Sequence, residues 1–125
     1  MAAKLVEITR EFGFEAAHCL PDLPQGHPYT RLHGHSFRVE VTLAGTPDPR
    51  MGWILDFAEL DRLIEALRER LDHRTLNEVA GLEQPTLENI ANWIFDRIEA
   101  QIPGLDRVTV RRDSVGERCT VRRAG

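Results

Sequence analysis

Two histidines flank a glycine at the start of an alternating apolar and polar stretch, and this pattern is suited to holding a metal. His33 and His35 are two residues apart, so on a β-strand their side chains point to the same face. His18 ends an earlier alternating stretch and continues its apolar parity. If the two stretches pair as an antiparallel hairpin, the three imidazoles meet at one rim of the apolar face. Three histidine ligands with an open fourth position are typical of a catalytic zinc site.

The two remaining histidines are interpreted differently. His27 lies in a loop rich in proline and glycine, where we expect it to face solvent rather than to bind metal. His73 follows Asp72 at the predicted end of a helix, where the helix dipole favours a cation. The same two residues could instead position an imidazole for proton transfer. Spacing alone leaves both interpretations open.

The elements that position these residues are predicted from periodicity. Residues 4–18 alternate between apolar and polar side chains, which predicts a half-buried strand. A second strand follows the histidine pair, and residues 45–50 (GTPDPR) then predict a turn. The apolar side of this second strand consists of Phe37, Val39, Val41 and Leu43.

Two amphipathic helices and two short strands complete the chain. Asp56 begins a capping-box pattern, and Thr86 is suited to cap a second helix. The first helix carries an apolar stripe of Leu60, Leu63, Ile64, Leu67 and Leu71, and the second of Leu87, Ile90, Ala91, Ile94 and Ile98. Residues 108–110 and 119–121 predict strands on either side of Gly116.

The predicted fold class is therefore α+β, in the order ββααββ. We expect an antiparallel four-stranded sheet covered on one face by two helices. Such a small sheet has exposed edges, which favour association unless they are paired or covered. This leads us to expect a homo-oligomer in which sheets join across subunits.

Composition is that of an ordinary globular domain and limits the classes of function. The chain has 125 residues, 42% hydrophobic and 29% charged, with a net charge of −4, which predicts one domain over residues 1–125 and argues against nucleic-acid binding. The two cysteines do not form a disulfide framework. No apolar run is long enough for a membrane helix, and no secretory leader is predicted. A cytoplasmic enzyme or binding protein is the default expectation.

Five motifs in order resemble one known family, that of the 6-pyruvoyl-tetrahydropterin synthases, and especially its bacterial 6-carboxy-tetrahydropterin synthase branch. The resemblance covers nearly the whole chain, and five motifs in order carry it. They are residues 14–18 (FEAAH), 32–35 (LHGH), 52–57 (GWILDF), 71–73 (LDH) with 76–77 (LN), and 85–89 (PTLEN).

The resemblance implies the tunnelling fold (T-fold), in which the sheets of three subunits form an oligomeric β-barrel, usually doubled to a hexamer. It implies Zn²⁺ held by His18, His33 and His35, and an acid–base pair at Asp72 and His73. The implied substrate is a pterin, 7,8-dihydroneopterin triphosphate. The implied reaction in this branch is zinc-dependent conversion to 6-carboxy-tetrahydropterin, with release of acetaldehyde and triphosphate, in the biosynthesis of queuosine and other 7-deazapurines.

Residue 29 departs from the family pattern. The family has a reactive cysteine four residues before the first histidine of the His-x-His pair, and this sequence has Tyr29. A cysteine can supply a thiolate near neutral pH, whereas a phenol has a reference pKa of about 10 and is a poor base. Tyr29 could serve instead as a proton donor. Cys19 is an alternative thiol, but on a strand its side chain points away from the face of His18.

The expected pterin anchor, a glutamate after the third strand in the family, is the second departure. Counting from the third strand puts Arg112 at this position, and an arginine cannot accept a hydrogen bond. Counting back from the last strand puts Asp113 there, which requires one inserted residue, for example in a bulge. We prefer Asp113 as the substrate-binding residue. Thr86 and Glu88, which border the implied pterin pocket, are equally well explained as helix cap and first-turn carboxylate.

These departures leave three hypotheses for function. The leading one is a zinc-dependent lyase of the 6-carboxy-tetrahydropterin synthase type or a close pterin-acting paralogue. The second is a zinc-containing T-fold protein that has lost this reaction and binds a pterin or a purine-like ligand. The third is a paralogue with altered chemistry, such as aldolase-type cleavage of dihydroneopterin.

Overall fold

The computed structural model describes residues 4–125, and its centre is a long antiparallel hairpin. The first strand, β1 (Val6–His18), pairs with β2 (His33–Gly45) in a continuous register from Val6 opposite Gly45 to His18 opposite His33. β-Branched and aromatic side chains at alternate positions favour this pleated, half-buried structure. Residues 1–3 of the predicted domain lie outside the described range.

Two helices begin and end as their sequences predict. α1 (Phe57–Leu71) is capped by Asp56 and α2 (Leu87–Glu99) by Thr86, whose side chains each accept a backbone N–H of the first turn. Both apolar stripes face the core, with Leu63 only partly buried. Among the described helices, none combines the length and the apolar character that a bilayer crossing requires.

The sheet has five strands rather than the predicted four. β4 (Leu105–Arg112) and β5 (Glu117–Arg122) form the second antiparallel pair, with Gly116 in the left-handed region at φ 69°. The additional strand, β3 (Arg74–Thr75), pairs in parallel with β1. The strand order β3-β1-β2-β4-β5 therefore makes a mixed sheet instead of a purely antiparallel one.

β3 forms because the chain turns sharply after α1. His73 has a left-handed φ of 59°, and its backbone N–H donates to the Glu15 carbonyl at 2.6 Å. The next two residues are thereby laid along the edge of β1. Two residues are too few to produce a period-two pattern, which is why the sequence did not predict this strand. Short 3₁₀ helices occupy Pro28–Thr30, Leu76–Glu78 and Asp113–Val115.

The two faces of the sheet differ sharply. One face carries the helices, with α1 against β1 and α2 against β4 and β5. Its buried residues include Phe12, Phe14, Phe37, Val39, Val41, Leu43, Val108 and Val110. The other face is polar and is crossed by ion pairs such as that between Arg111 and Glu40 at 2.6 Å. Alternation thus assigns apolar side chains to the helix-covered face.

Candidate functional site

Three imidazoles meet at the end of the β1–β2 hairpin. His18 lies directly opposite His33, and His35 lies opposite Ala16. The ring centroids are 4.6 Å apart for His18 and His33, 5.1 Å for His18 and His35, and 4.9 Å for His33 and His35. One potential ligand nitrogen from each residue lies within 4.8 Å of the other two. The hairpin register therefore brings the three predicted ligands together, and they could hold a metal ion.

Backbone carbonyls orient two of these rings. His18 Nδ1 is 2.8 Å from the Pro85 oxygen, and His33 Nδ1 is 2.7 Å from the Arg31 oxygen. Because a carbonyl only accepts, each Nδ1 carries the proton and Nε2 carries the lone pair. The Nε2 atoms of His18 and His35 are buried without a hydrogen-bond partner in the described part of the chain. Buried, unsatisfied lone pairs of this kind fit a metal site.

The same burial favours the neutral form of two of the imidazoles, those of His18 and His35. Removal from water lowers the pKa of His18 to about 4, although its bond to the Pro85 carbonyl opposes the shift. The pKa of His35 is also lowered, first by burial and then by the positive charge of Arg112. A metal binds the neutral imidazole, so little proton competition is expected at these two residues near neutral pH.

Asn77 fixes the strand end that carries His18. Its carboxamide oxygen accepts the Cys19 N–H at 3.0 Å, and its nitrogen donates to the Cys19 carbonyl at 2.9 Å. Neither this paired contact nor the role of the Pro85 carbonyl is predicted by the local sequence pattern. Asn77 lies in one of the five motifs, and this is the feature of the sequence that points to a role for it.

Asp72 and His73 form a hydrogen-bonded pair at the same end of β1. One Asp72 oxygen accepts the Glu15 N–H at 2.8 Å, and the other lies 2.9 Å from His73 Nδ1. The Glu15 bond is the main reason that the pKa of Asp72 is lowered, followed by the bond to His73. The His73 side chain is 79% exposed. It lines an open cleft of about 470 Å³ together with His35.

Tyr29 lies beside the cluster on the loop between β1 and β2. Its ring centroid is 5.9 Å from that of His33, and the residue is 48% exposed. It lines a recess of about 120 Å³ with His18 and His33. Cys19 lines neither this recess nor the larger cleft among the described residues. The structure therefore brings the predicted tyrosine to the histidines, and Cys19 remains outside both cavities.

The predicted substrate residues divide into two groups. Thr86 and Glu88, at the start of α2, line the recess. Thr86 also caps the helix, so its hydroxyl serves the structural role that the sequence left open. Asp113 does not line the recess in the described part of the chain; its carboxylate accepts from Arg111 Nε at 2.9 Å.

Arg112 occupies the recess instead, and the bulge that would have favoured Asp113 is absent. The β4–β5 register runs without interruption from Val110 opposite Cys119 to Arg112 opposite Glu117. The one irregularity between β2 and β4 lies at the far end, between Thr42 and Leu43. This pairing offers no bulge in support of Asp113, and Asp113 as the substrate-binding residue stays a prediction.

Comparisons with known proteins agree on one family. The family model described as 6-pyruvoyl tetrahydropterin synthase matches residues 7–124. The 6-carboxy-5,6,7,8-tetrahydropterin synthase of Synechocystis is 45% identical over 109 residues, covering 82% of this chain and 83% of that protein. The dihydroneopterin monophosphate aldolase of Pyrococcus furiosus is 37% identical over 91 residues, covering 73% of each chain.

A solved structure gives the same result for the fold. The 6-pyruvoyl tetrahydropterin synthase of Caenorhabditis elegans superimposes with a TM-score of 0.87 at 25% identity. The superposition covers 97% of both chains. The predicted tunnelling fold is therefore supported for this α+β chain.

Proposed function

The chain belongs to the 6-pyruvoyl tetrahydropterin synthase family, and from that premise we propose that it is a zinc-dependent pterin lyase. The proposed reaction is that of the 6-carboxy-tetrahydropterin synthases, starting from 7,8-dihydroneopterin triphosphate. The observation that carries the proposal is the histidine cluster, in which Nε2 of His18 and of His35 is buried without a hydrogen-bond partner among residues 4–125. The Synechocystis relative of 45% identity supports the choice of reaction.

His18, His33 and His35 would hold the zinc ion. Three imidazoles match the ligand set of catalytic zinc, and the carbonyl partners of His18 and His33 supply the outer shell such sites require. When bound, zinc supplies Lewis acidity, which makes nearby substrate hydroxyls more acidic and stabilises negative charge.

Asp72 and His73 are suited to move a proton. The Asp72 carboxylate accepts the Nδ1 proton of His73, which leaves His73 Nε2 free to take a proton from substrate and return it. The lowered pKa of Asp72 keeps this carboxylate charged, so it stabilises the imidazolium that forms. His73 and His35 line one cleft. A substrate bound in that cleft can therefore contact both His73, which carries the proton, and His35, which is one of the proposed metal ligands.

Tyr29 is proposed as a proton donor. Its phenol lies beside His33 at the mouth of the recess, where a hydroxyl can donate to a substrate oxygen. Tyr29 stands where the family has a thiol, and a phenol is a poor base. We therefore assign the removal of protons in this site to His73 rather than to Tyr29.

A second candidate reaction is aldolase-type cleavage of a dihydroneopterin phosphate. Two observations favour it: no thiol lines either cavity among the described residues, and one relative of 37% identity is a dihydroneopterin monophosphate aldolase. This reaction breaks the same side chain without the internal redox step. It needs a base and a proton donor, which His73 and Tyr29 can provide.

Product analysis separates these candidates. The zinc-loaded protein is incubated with 7,8-dihydroneopterin triphosphate and, separately, with the monophosphate, and released aldehydes and pterins are identified by mass spectrometry. The lyase releases acetaldehyde and 6-carboxy-tetrahydropterin from the triphosphate. The aldolase releases a two-carbon hydroxyaldehyde or its phosphate and leaves a hydroxymethyl pterin.

Variants at residue 29 sharpen the result. Tyr29→Phe removes only the proposed donor, and Tyr29→Cys introduces a thiol. If the wild type is inert and Tyr29→Cys releases acetaldehyde, the synthase proposal fails for this protein. If neither consumes substrate while both bind pterin, the protein is a pterin-binding homologue that has lost the reaction.

Self-association into a trimer or hexamer is proposed on the exposed sheet. β5 is an edge strand, and the face opposite the helices is uncovered in the single chain. Both features favour joining of sheets between copies. Light scattering after size-exclusion chromatography tests this, and a monomer at micromolar concentration would contradict it.

A further inference from the structure

Arg112 places a mostly buried guanidinium beside the histidine cluster. It continues the parity of Val108 and Val110, both completely buried, so its side chain belongs to the helix-covered face of the sheet. The side chain is 16% exposed. It lines the same small recess as His18 and His33.

The hydrogen bonding of this guanidinium is incomplete. One terminal nitrogen lies 2.7 Å from a carboxylate oxygen of Glu117, its cross-strand neighbour. Arg112 Nε is buried and has no hydrogen-bond partner among the described residues. Buried polar atoms are nearly always paired. An acceptor supplied by a ligand would complete the site.

The chemistry of this position selects its ligand. A guanidinium has five N–H donors and no acceptor, so it cannot receive the amino and ring N–H groups of a pterin. It is well suited to the paired oxygens of a carboxylate or a phosphate. The recess, at about 120 Å³, has space for about four water molecules. That space suits a small substituent rather than a fused ring system.

The charges around the recess agree with this selection. Arg112 lines the recess together with His18 and His33, so its positive charge lies next to the cluster. Glu117 is its ion-pair partner and is 44% exposed in its side chain. Glu88 is the acidic side chain in the lining of the recess among the described residues. An anion therefore meets Arg112 with only partial competition from protein carboxylates.

We propose that Arg112 is a specificity-determining residue that binds an oxyanion of the substrate, a carboxylate or a phosphate, next to the three histidines. The proposal rests on the proposed function, because it takes the ligand to be a pterin derivative. It assigns the anionic substituent of the pterin to the recess beside Arg112. Arg112 selects anionic pterins over neutral ones.

The test measures binding without turnover. Three oxidised pterins serve as probes: neutral neopterin, 6-carboxypterin and neopterin monophosphate. Their dissociation constants with the zinc-loaded protein are measured by quenching of pterin fluorescence. The variants are Arg112→Gln, Glu117→Gln and, as a matched control, Arg118→Gln on an exposed position of β5. Zinc content and thermal unfolding are measured for every variant.

The expected pattern has opposite signs for the two partners. The wild type binds at least one anionic pterin more tightly than neopterin, and the preferred anion identifies the substituent as carboxylate or phosphate. Arg112→Gln weakens binding of that anion about 10- to 100-fold and leaves neopterin binding unchanged. Glu117→Gln strengthens anion binding, because it removes the competing carboxylate. Arg118→Gln changes none of the three.

Two results would overturn the proposal. One is an equal loss for all three pterins in Arg112→Gln, which would assign Arg112 a purely structural role. The other is unchanged binding of both anionic pterins in that variant. If Arg112→Gln fails to fold, the sign of the Glu117→Gln effect decides. An Arg112-dependent preference in a protein without turnover would keep this inference and refute the proposed reaction.

Discussion

Replacing Asn77 by alanine tests whether a residue outside the histidine cluster holds the cluster together. The carboxamide makes two hydrogen bonds to the backbone of Cys19, at 3.0 and 2.9 Å, immediately after His18. Each such bond stabilises the fold by about 1 kcal/mol net, and leaving partly buried groups unpaired costs more. We expect Asn77→Ala to lower the free energy of unfolding by about 2–3 kcal/mol.

The same change should weaken metal binding. Outer-shell residues that orient ligands typically contribute about tenfold or more to metal affinity. A tenfold weaker affinity reduces the stabilisation by a fixed, saturating zinc concentration by about 1.4 kcal/mol. The zinc-dependent part of stability should therefore fall in addition to the loss seen without metal.

Urea unfolding followed by tryptophan fluorescence, with chelator and with zinc, separates the two effects. Asn77→Asp is the matched variant, because it still accepts from the Cys19 N–H but cannot donate to the Cys19 carbonyl. The free energy of unfolding of Asn77→Asp should lie between those of the wild type and Asn77→Ala. A loss below about 0.5 kcal/mol in Asn77→Ala, within the range of ordinary surface substitutions, would refute the reasoning. Unchanged zinc stabilisation would refute the positioning role.

Three further predictions follow from the site and its support. His33→Ala should lose most of the bound zinc, which elemental analysis measures. His27→Ala is the control, because His27 lies outside the cluster, and this variant should retain the zinc. Full zinc occupancy in His33→Ala would rule out the three-histidine site. Without metal, the pKa of His18 in the folded protein is about 4, against an ordinary value of 6.5. Between these two pH values the unfolded chain therefore binds more protons than the folded one. The free energy of unfolding should fall as the pH decreases from 6.5 to about 4. Urea midpoints in chelator should show this slope, and His18→Gln should flatten it; parallel curves would contradict the shift. Gly81→Ala should destabilise the fold by about 1–3 kcal/mol, because φ is +91° and the new Cβ would lie 3.1 Å from Trp93, and a thermal melt matching the wild type would disprove this.

The sequence predicted those parts of the fold that leave a local pattern. Alternation defined β1 and β2 and placed His18, His33 and His35 on one face, and stripes with caps defined both helices. The hairpin then brings the histidines together because antiparallel pairing is the simplest connection of neighbouring strands. β3 left no pattern, since it has two residues and depends on the left-handed backbone of His73.

The support of the site could not be predicted, because it comes from distant parts of the chain. Pro85 is 67 residues from His18, and Asn77 is 58 residues from Cys19. That Arg112 rather than Asp113 lines the recess depends on the register of β4, which is not a property of local sequence. Physical contacts of this kind become visible only when the register is known.

The histidines and Tyr29 are carried by different parts of the hairpin, and this has an evolutionary consequence. The three imidazoles are carried by the paired strands β1 and β2, whereas Tyr29 is carried by the loop that joins them. Substitution or insertion in that loop changes the reactive side chain at the mouth of the recess without altering the strand register that holds the histidines. In this architecture the histidine cluster and the side chain at position 29 can therefore change independently during evolution.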